Sequence, residues 1–133
     1  MFLDYIRAGN PNTSDGELEE LSQNSDPRIR RRVAENSKSP PHILGRLCRD
    51  SEPDVRLAVA ENPSVPLNIL EMLVEDESED IRFELAEDPH MPWMVLVRLA
   101  RDHNPYVSHR AILTLTALGA AANEIMAILS GTM

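Results

Sequence analysis

Aromatic residues are nearly missing from this chain, which has two Phe, two Tyr and one Trp among 133 residues. A core must therefore rest on Leu, Ile, Val, Ala and Met, and there is no aromatic series on which successive bases of a single strand could stack. Cysteine occurs once, as Cys48, which excludes an intramolecular disulfide and a structural zinc site of Cys/His spacing. Long apolar runs are lacking too. The most apolar stretch, Ala111 to Ala122, is broken by Asn123 and Glu124 and falls short of the roughly 20 residues a membrane span needs. The N-terminal MFLDYIRAGNPN has neither a basic n-region nor a long apolar h-region, so no signal peptide is expected. Positive charge in excess is absent: the formal net charge is −9, which argues against generic adhesion to DNA, RNA or anionic lipid. No glycine-rich phosphate loop and no G-x-S-x-G motif is present, and Cys48 has no partner nucleophile or base at a recognisable spacing. These absences together describe a cytoplasmic, soluble chain with no membrane partner, no cofactor and no catalytic motif.

What is present is a repeat. Ile29, Val55, Ile81 and Val107 are separated by steps of 26 residues. From those anchors three segments, 29–54, 55–80 and 81–106, align without a gap. Arg30, Arg56 and Arg82 coincide, as do Ala34, Ala60 and Ala86, and Glu35, Glu61 and Glu87. Further on, Pro40, Pro66 and Pro92 coincide, then Leu44, Leu70 and Leu96, then Leu47, Leu73 and Leu99, then Asp50, Asp76 and Asp102. The register extends back into a worn copy through Leu3, Ala8, Asn10, Leu18, Leu21 and Pro27. A period of this length is the signature of a solenoid or a similar array.

Each copy reads as a helical hairpin. Val55, Val59 and Ala60, like Ile81, Leu85 and Ala86, are spaced as one face of a helix rather than as a strand. Asn62-Pro63 and Asp88-Pro89 then stop that helix, with Asn36-Ser37 in the first full copy. Pro40, Pro66 or Pro92 opens a second helix, in the position that suits its first turn. Ile69, Leu70, Leu73 and Val74 form that helix's apolar face, before an acidic turn. One hairpin cannot bury enough apolar surface to fold alone, so neighbours must stack and the ends must be capped. Residues 1–28 are expected as a degraded, polar N-terminal cap, and 107–133 as capping helices. The latter run to about Leu118, turn at Gly119 and resume near Ala121 to Leu129. The expected fold is all-α: one helical-repeat domain over 1–133, a solenoid of about five hairpin repeats with terminal caps.

The recurring pattern Val-Arg-x-x-Val-Ala-x-Asn-Pro, then Pro-x-x-x-Leu-x-x-Leu and an acidic turn, resembles the leucine-rich repeat variant family, in the neighbourhood of HEAT and armadillo repeats. The resemblance covers roughly residues 3–110. It implies alternating helices, one class open to being short and 3₁₀-like, wound into a right-handed superhelix. An iron–sulfur association within that family rests on a cysteine-rich segment, and Cys48 alone cannot supply four thiolates.

Four sets of residues are candidates for function. The ladder Arg30, Arg56, Arg82 with Asp50, Asp76, Asp102 is either a groove for an acidic ligand or a set of inter-repeat ion pairs. Recurrence in every copy favours the structural role. A basic cluster, Arg28, Arg30, Arg31, Arg32, Lys38, Arg46 and Arg49, lies between segments of strongly acidic composition. Nucleic-acid contact through Arg28, Arg30, Arg31, Arg32, Arg46 and Arg49 is the runner-up reading, behind a solvated face paired with its acidic neighbours. Trp93 stands where other copies have Pro41 and Leu67, with His90 and Met94 beside it, and Tyr106 stands where they have Asp54 and Asp80. Large amphipathic side chains at polar offsets are what binding hot spots look like, so Trp93, Met94, His90 and Tyr106 are the expected contact for an unidentified protein or peptide. Packing of Trp93 into a gap near the C-terminal cap is the alternative. Leu113 and Met126 project away from the buried face of the last helices, where Ile125, Ile128 and Leu129 fit, and are expected to form a homodimer contact. The four histidines and the acidic run 75–80 show no metal-ligand spacing. The function expected is that of a non-enzymatic adaptor or scaffold, with a small enzyme carrying a groove-bound substrate as the third reading.

Overall fold

A polar residue three places before each longer helix opens it. Asn24, Asp50, Asp76 and Asp102 each accept, at Oδ1, the backbone N–H two residues on, every time at 2.9 Å. The chain is thereby turned before the helix starts. In the computed structural model, which describes residues 2–132, ten α-helices and no strand form among the described residues. In order they are α1 (Phe2–Gly9), α2 (Asp15–Leu21), α3 (Pro27–Glu35), α4 (Pro41–Leu47), α5 (Pro53–Glu61), α6 (Leu67–Leu73), α7 (Glu79–Glu87), α8 (Trp93–Ala100), α9 (Pro105–Ala117) and α10 (Ala122–Ser130). Helices of one class start two residues before the anchors Ile29, Val55, Ile81 and Val107. Their first residues are solvent-facing and carry no apolar signal; Pro27, Pro53 and Pro105 occupy that first position, where the missing N–H costs nothing.

The helix stops fall where the Asn-Pro pattern places them. Asn36, Asn62 and Asp88 cap the ends of α3, α5 and α7 with extended backbone. The second proline sits one residue earlier than expected: Pro40 and Pro92 are N-caps of α4 and α8 rather than first-turn residues. A proline there keeps an extended backbone while its carbonyl accepts the first helical N–H groups, as Pro66 O does from Ile69 and Leu70 at 3.1 and 3.3 Å. The second class, α4, α6 and α8, is short, at seven or eight residues, but is α-helical rather than 3₁₀.

The chain divides into two compact units, Met1–Leu73 and Val74–Met133. In the first, α3 lies between α1 and α5, and Leu18, Ile29, Val33, Ile43, Leu44, Leu47, Val55, Val59 and Leu73 are buried. In the second, α9 packs on α7 and α8, with α10 also against α8. The buried set there is Ile81, Leu85, Val95, Leu96, Leu99, Val107, Ala111, Leu115 and Ile128. The C-terminal segment behaves as read: α9 ends at Ala117, Gly119 turns at φ +106°, and α10 follows. Such a φ is reached freely only by glycine.

Two expectations about the ends are corrected. Leu129 is not on the buried face; it is 50% exposed, and Ile128 beside it fills the core. The N-terminal end is not simply polar, because α1 leaves Phe2 and Leu3 open at 75% and 71% along with Ile6. The single buried residue of α1 is Ala8, so most of its apolar side chains are left uncovered by the described residues.

Inside the first unit a second device ties one hairpin to the next. The buried Asn36 amide donates to Ala8 O at 2.9 Å and Asn10 O at 3.0 Å. Asn62 repeats this one period on, donating to Ala34 O at 2.7 Å and Asn36 O at 2.9 Å. In the second unit Thr114 Oγ1 donates to Ala86 O at 2.6 Å. Those carbonyls lie at helix ends, where no intrahelical donor exists. Asn62→Ala should cost about 1–3 kcal/mol of unfolding free energy, because a buried acceptor loses its donor. Asn62→Asp should cost more at pH 7, since a carboxylate would face two carbonyl oxygens. Urea denaturation of both variants against the parent checks the order.

Candidate functional site

The arginine ladder is built from the turns that open the longer helices. Arg30, on α3, binds the Asp50 carboxylate through two nitrogens, Nε to Oδ2 at 2.8 Å and Nη2 to Oδ1 at 3.1 Å. Its Nη1 donates to Asn24 O at 2.8 Å. Arg82 repeats the arrangement in the second unit, with Nε to Asp102 Oδ2 at 2.8 Å and Nη1 to Asp76 O at 2.6 Å. The buried Arg56 donates to Asp50 O at 2.8 Å. Each guanidinium thus spans the turn behind it, through a carbonyl, and Arg30 and Arg82 also span the turn ahead, through a carboxylate. A planar fork is suited to this two-sided grip and an ammonium is not.

Electrostatics follow the geometry. Burial pushes the Asp50 carboxyl up, but the Arg30 hydrogen bond, the Glu52 N–H and the Arg30 charge outweigh it and hold it below the usual carboxylate range. The Asp50 hydrogen bond, opposed by burial, raises Arg30.

The other arginines of the basic cluster do not converge on one surface. Arg28 turns back onto Asp26, with Nη2 to Oδ2 at 2.9 Å. Arg32 lies over the Tyr5 ring at 5.3 Å and within 3.8 Å of Glu35. Gly9 makes room for it, since a Cβ there would collide with the Arg32 guanidinium. Arg46 donates to Glu19 at 2.8 Å and to Ser22 Oγ at 2.5 Å. Arg31 borders a cleft of about 240 Å³ together with the carboxylates Glu35, Asp54 and Glu61. Arg49 is exposed.

The Trp93 group lies on unit two. Trp93 and Met94 form the first turn of α8 and are 40% and 53% exposed. His90 is exposed in the preceding turn, its N–H donating to Asp88 Oδ1 at 2.8 Å. Tyr106 is 77% exposed on the first turn of α9. The eight residues of α8 span about 12 Å, and Tyr106 follows the turn at its far end. Trp93, Met94 and His90 are therefore contiguous, and Tyr106 is a separate point. The offset of Trp93 is exposed in the earlier copies too, at Pro41 and Leu67, so this position is not one the repeat reserves for core. Leu113 and Met126 are exposed on α9 and α10. His42 meets Glu19 at 3.1 Å, and among the described residues no three His, Cys, Asp or Glu side chains are grouped to hold a metal ion. No described helix is long and apolar enough to cross a membrane.

The α5–α6 hairpin and the turn after it carry Arg56, Asn62, Pro66, Leu70, Leu73 and Asp76 in one period. Residues 53–78 match the leucine rich repeat variant family model. This is a HEAT-like helical repeat family, and the matched frame starts at Pro53, the first helical residue of α5. No curated protein and no solved structure matches the chain. The leucine rich repeat variant match includes Arg56 and Asp76 of the ladder but ends before Trp93, so the similarity speaks to the scaffold and not to the exposed group. Sequence reading missed the donor role of Asn36 and Asn62, although their recurrence at one offset with Asn10 was visible. It also missed the Gly9–Arg32–Tyr5 contact, for which no periodic signal exists.

Because the folded Asp50 carboxyl sits below its unfolded value, its contribution to stability is present above about pH 4, the unfolded pKa, and is lost as pH falls through the folded one. Asp50→Asn should lower unfolding free energy at pH 7 by about 1.5–3 kcal/mol, the worth of a charged hydrogen bond. The gap to the parent should narrow on going to pH 3, as measured by urea denaturation at both values.

Proposed function

We propose that this chain is a non-enzymatic, cytoplasmic adaptor whose helical repeats form a scaffold for binding a protein or peptide. The right-handed solenoid of about five repeats is part of the same proposal. The observation that carries it is the exposure of Trp93 and Met94 on the first turn of α8. Their offset is kept polar, small or solvent-facing in other copies, so neither core packing nor the repeat accounts for a tryptophan there. Trp and Met supply large contact area for few polar groups, the composition of interface centres. Tyr106 gives a second contact point at the far end of α8. The match to a helical repeat family supports the scaffold. Several arginines of the basic cluster are engaged by carboxylates within the chain, which supports a solvated, internally paired surface over nucleic-acid contact.

Trp93 is the single tryptophan, so its fluorescence reports directly on this surface. Partners captured from native lysate should shift its emission to the blue. Trp93→Ala combined with Met94→Ala should reduce their retention about tenfold or more with the unfolding midpoint nearly unchanged. Undiminished retention by the double variant would remove this surface from the proposal.

The same exposed chemistry supports a homodimer through Leu113 and Met126, which stand open on α9 and α10 with Leu118 and Leu129. A twofold contact is the commonest way to close such a patch. Light scattering should report twice the chain mass, and Met126→Glu should return a monomer of unchanged helicity. A parent monomer at high concentration overturns the dimer.

A further inference from the structure

A cleft of about 380 Å³ opens in the second unit where α8 ends, and cationic side chains surround it. Arg82, Arg98, Arg101 and His103 line it, against the carboxylates Glu75 and Asp102. The two carboxylates are not equivalent. Asp102 is buried and already neutralised: Arg82 holds both its oxygens, and Oδ1 also accepts Asn104 N–H at 2.9 Å. Glu75 is 72% exposed and touches one Arg98 nitrogen at 2.6 Å. An exposed pair of this kind contributes little and is easily displaced.

The remaining donors are unspent. The Arg101 guanidinium has no hydrogen bond or ion pair to any described residue, and the other two guanidinium nitrogens of Arg98 have none either. His103 is exposed, 3.8 Å from the already neutralised Asp102. Arg101 is nonetheless placed. Its Nη2 lies 3.1 Å from where a Cβ on Gly131 would stand, against the left-handed cap of α10, an end that favours a cation.

The repeat does not ask for this cluster. Arg82 recurs as Arg30 and Arg56, whereas the offsets of Arg98 and Arg101 hold Arg46 and Arg49 in the first full copy but Met72 and Glu75 in the middle one, and that of His103 holds Ser51 and Glu77. Stacking therefore proceeds without them, and in a chain of net charge −9 an open cationic cleft needs another reason. We propose that this cleft binds a phosphate monoester or free phosphate dianion, held between the guanidinium groups of Arg98 and Arg101 with His103 as third donor. Two guanidinium groups and an imidazole around one small opening exceed what the two oxygens of a carboxylate engage, and they match the three terminal oxygens of a phosphate. The proposal is independent of the Trp93 surface, and either can fail alone.

The test is an NMR titration of the full chain at constant ionic strength, following the Nε–Hε signals of Arg98 and Arg101. The probes are inorganic phosphate, phosphoserine with blocked termini, and acetate. Saturable shifts with a dissociation constant on the order of 1 mM are expected for a ligand this small. Arg101→Gln and Arg98→Gln should each weaken binding tenfold or more while helicity is kept. Arg49→Gln, the exposed arginine at the same repeat offset as Arg101, should leave it unchanged. Tighter binding of blocked phosphoserine assigns the site to a phosphorylated side chain, and tighter binding of inorganic phosphate assigns it to the free ion. No saturation by either, equal affinity for acetate, or an undiminished Arg101→Gln variant overturns the proposal.

Discussion

The helices α1, α3 and α7 end on carbonyl groups that their own backbone cannot satisfy, and the donors come from a neighbouring hairpin. Asn36 and Asn62 each reach with one amide into two carbonyls of the previous copy, while Arg30 and Arg82 each reach a carbonyl behind and a carboxylate ahead. Helices of seven to nine residues are too short to persist in water by themselves. Apolar contact alone would let them slide, because leucine on leucine has no register. A buried amide or guanidinium has one place to go, and a misplaced one costs more than it contributes when satisfied. Polar pairs therefore set the spacing that the apolar core then fills.

That division separates the residues the scaffold consumes from those it leaves over. A side chain kept at one offset in copy after copy is answering the same internal demand each time, as Arg30 and Arg82 do with three nitrogen donors each. A side chain that stays exposed and makes no hydrogen bond or ion pair of its own is left over by the scaffold. Trp93 and Arg101 are both of that kind, one apolar and one cationic, and both belong to the second unit. The first unit holds more of the positive charge but uses much of it: Arg28, Arg30 and Arg46 all contact carboxylates.

Periodicity made most of the architecture legible. Helix stops at Asn36, Asn62 and Asp88, the buried leucines, and the turn at Gly119 followed from patterns that local chemistry determines. What escaped was of three kinds. Boundaries fell short where the first helical residues carry no apolar signal, and the prolines at 40 and 92 proved to be caps. Faces escaped where exposure depends on whether a neighbour exists: Phe2, Leu3 and Leu129 look like core residues by composition and are open because nothing among the described residues lies against them. The cationic cleft was illegible for a third reason. Arg98, Arg101 and His103 look like scattered surface charge until the end of α8 and the turn after it bring them around one opening.

The ties between hairpins run mostly from a side chain to a main-chain carbonyl, and that has a bearing on how such a chain could arise. A carbonyl oxygen is present whatever residue carries it, so an incoming copy that brings its own asparagine and arginine finds acceptors without any matching change in the copy it joins. Side-chain-to-side-chain ties would demand paired substitutions at each new junction. An array joined through its backbone can instead lengthen by duplication of whole units, and each copy is then free to drift at the offsets its neighbours never read.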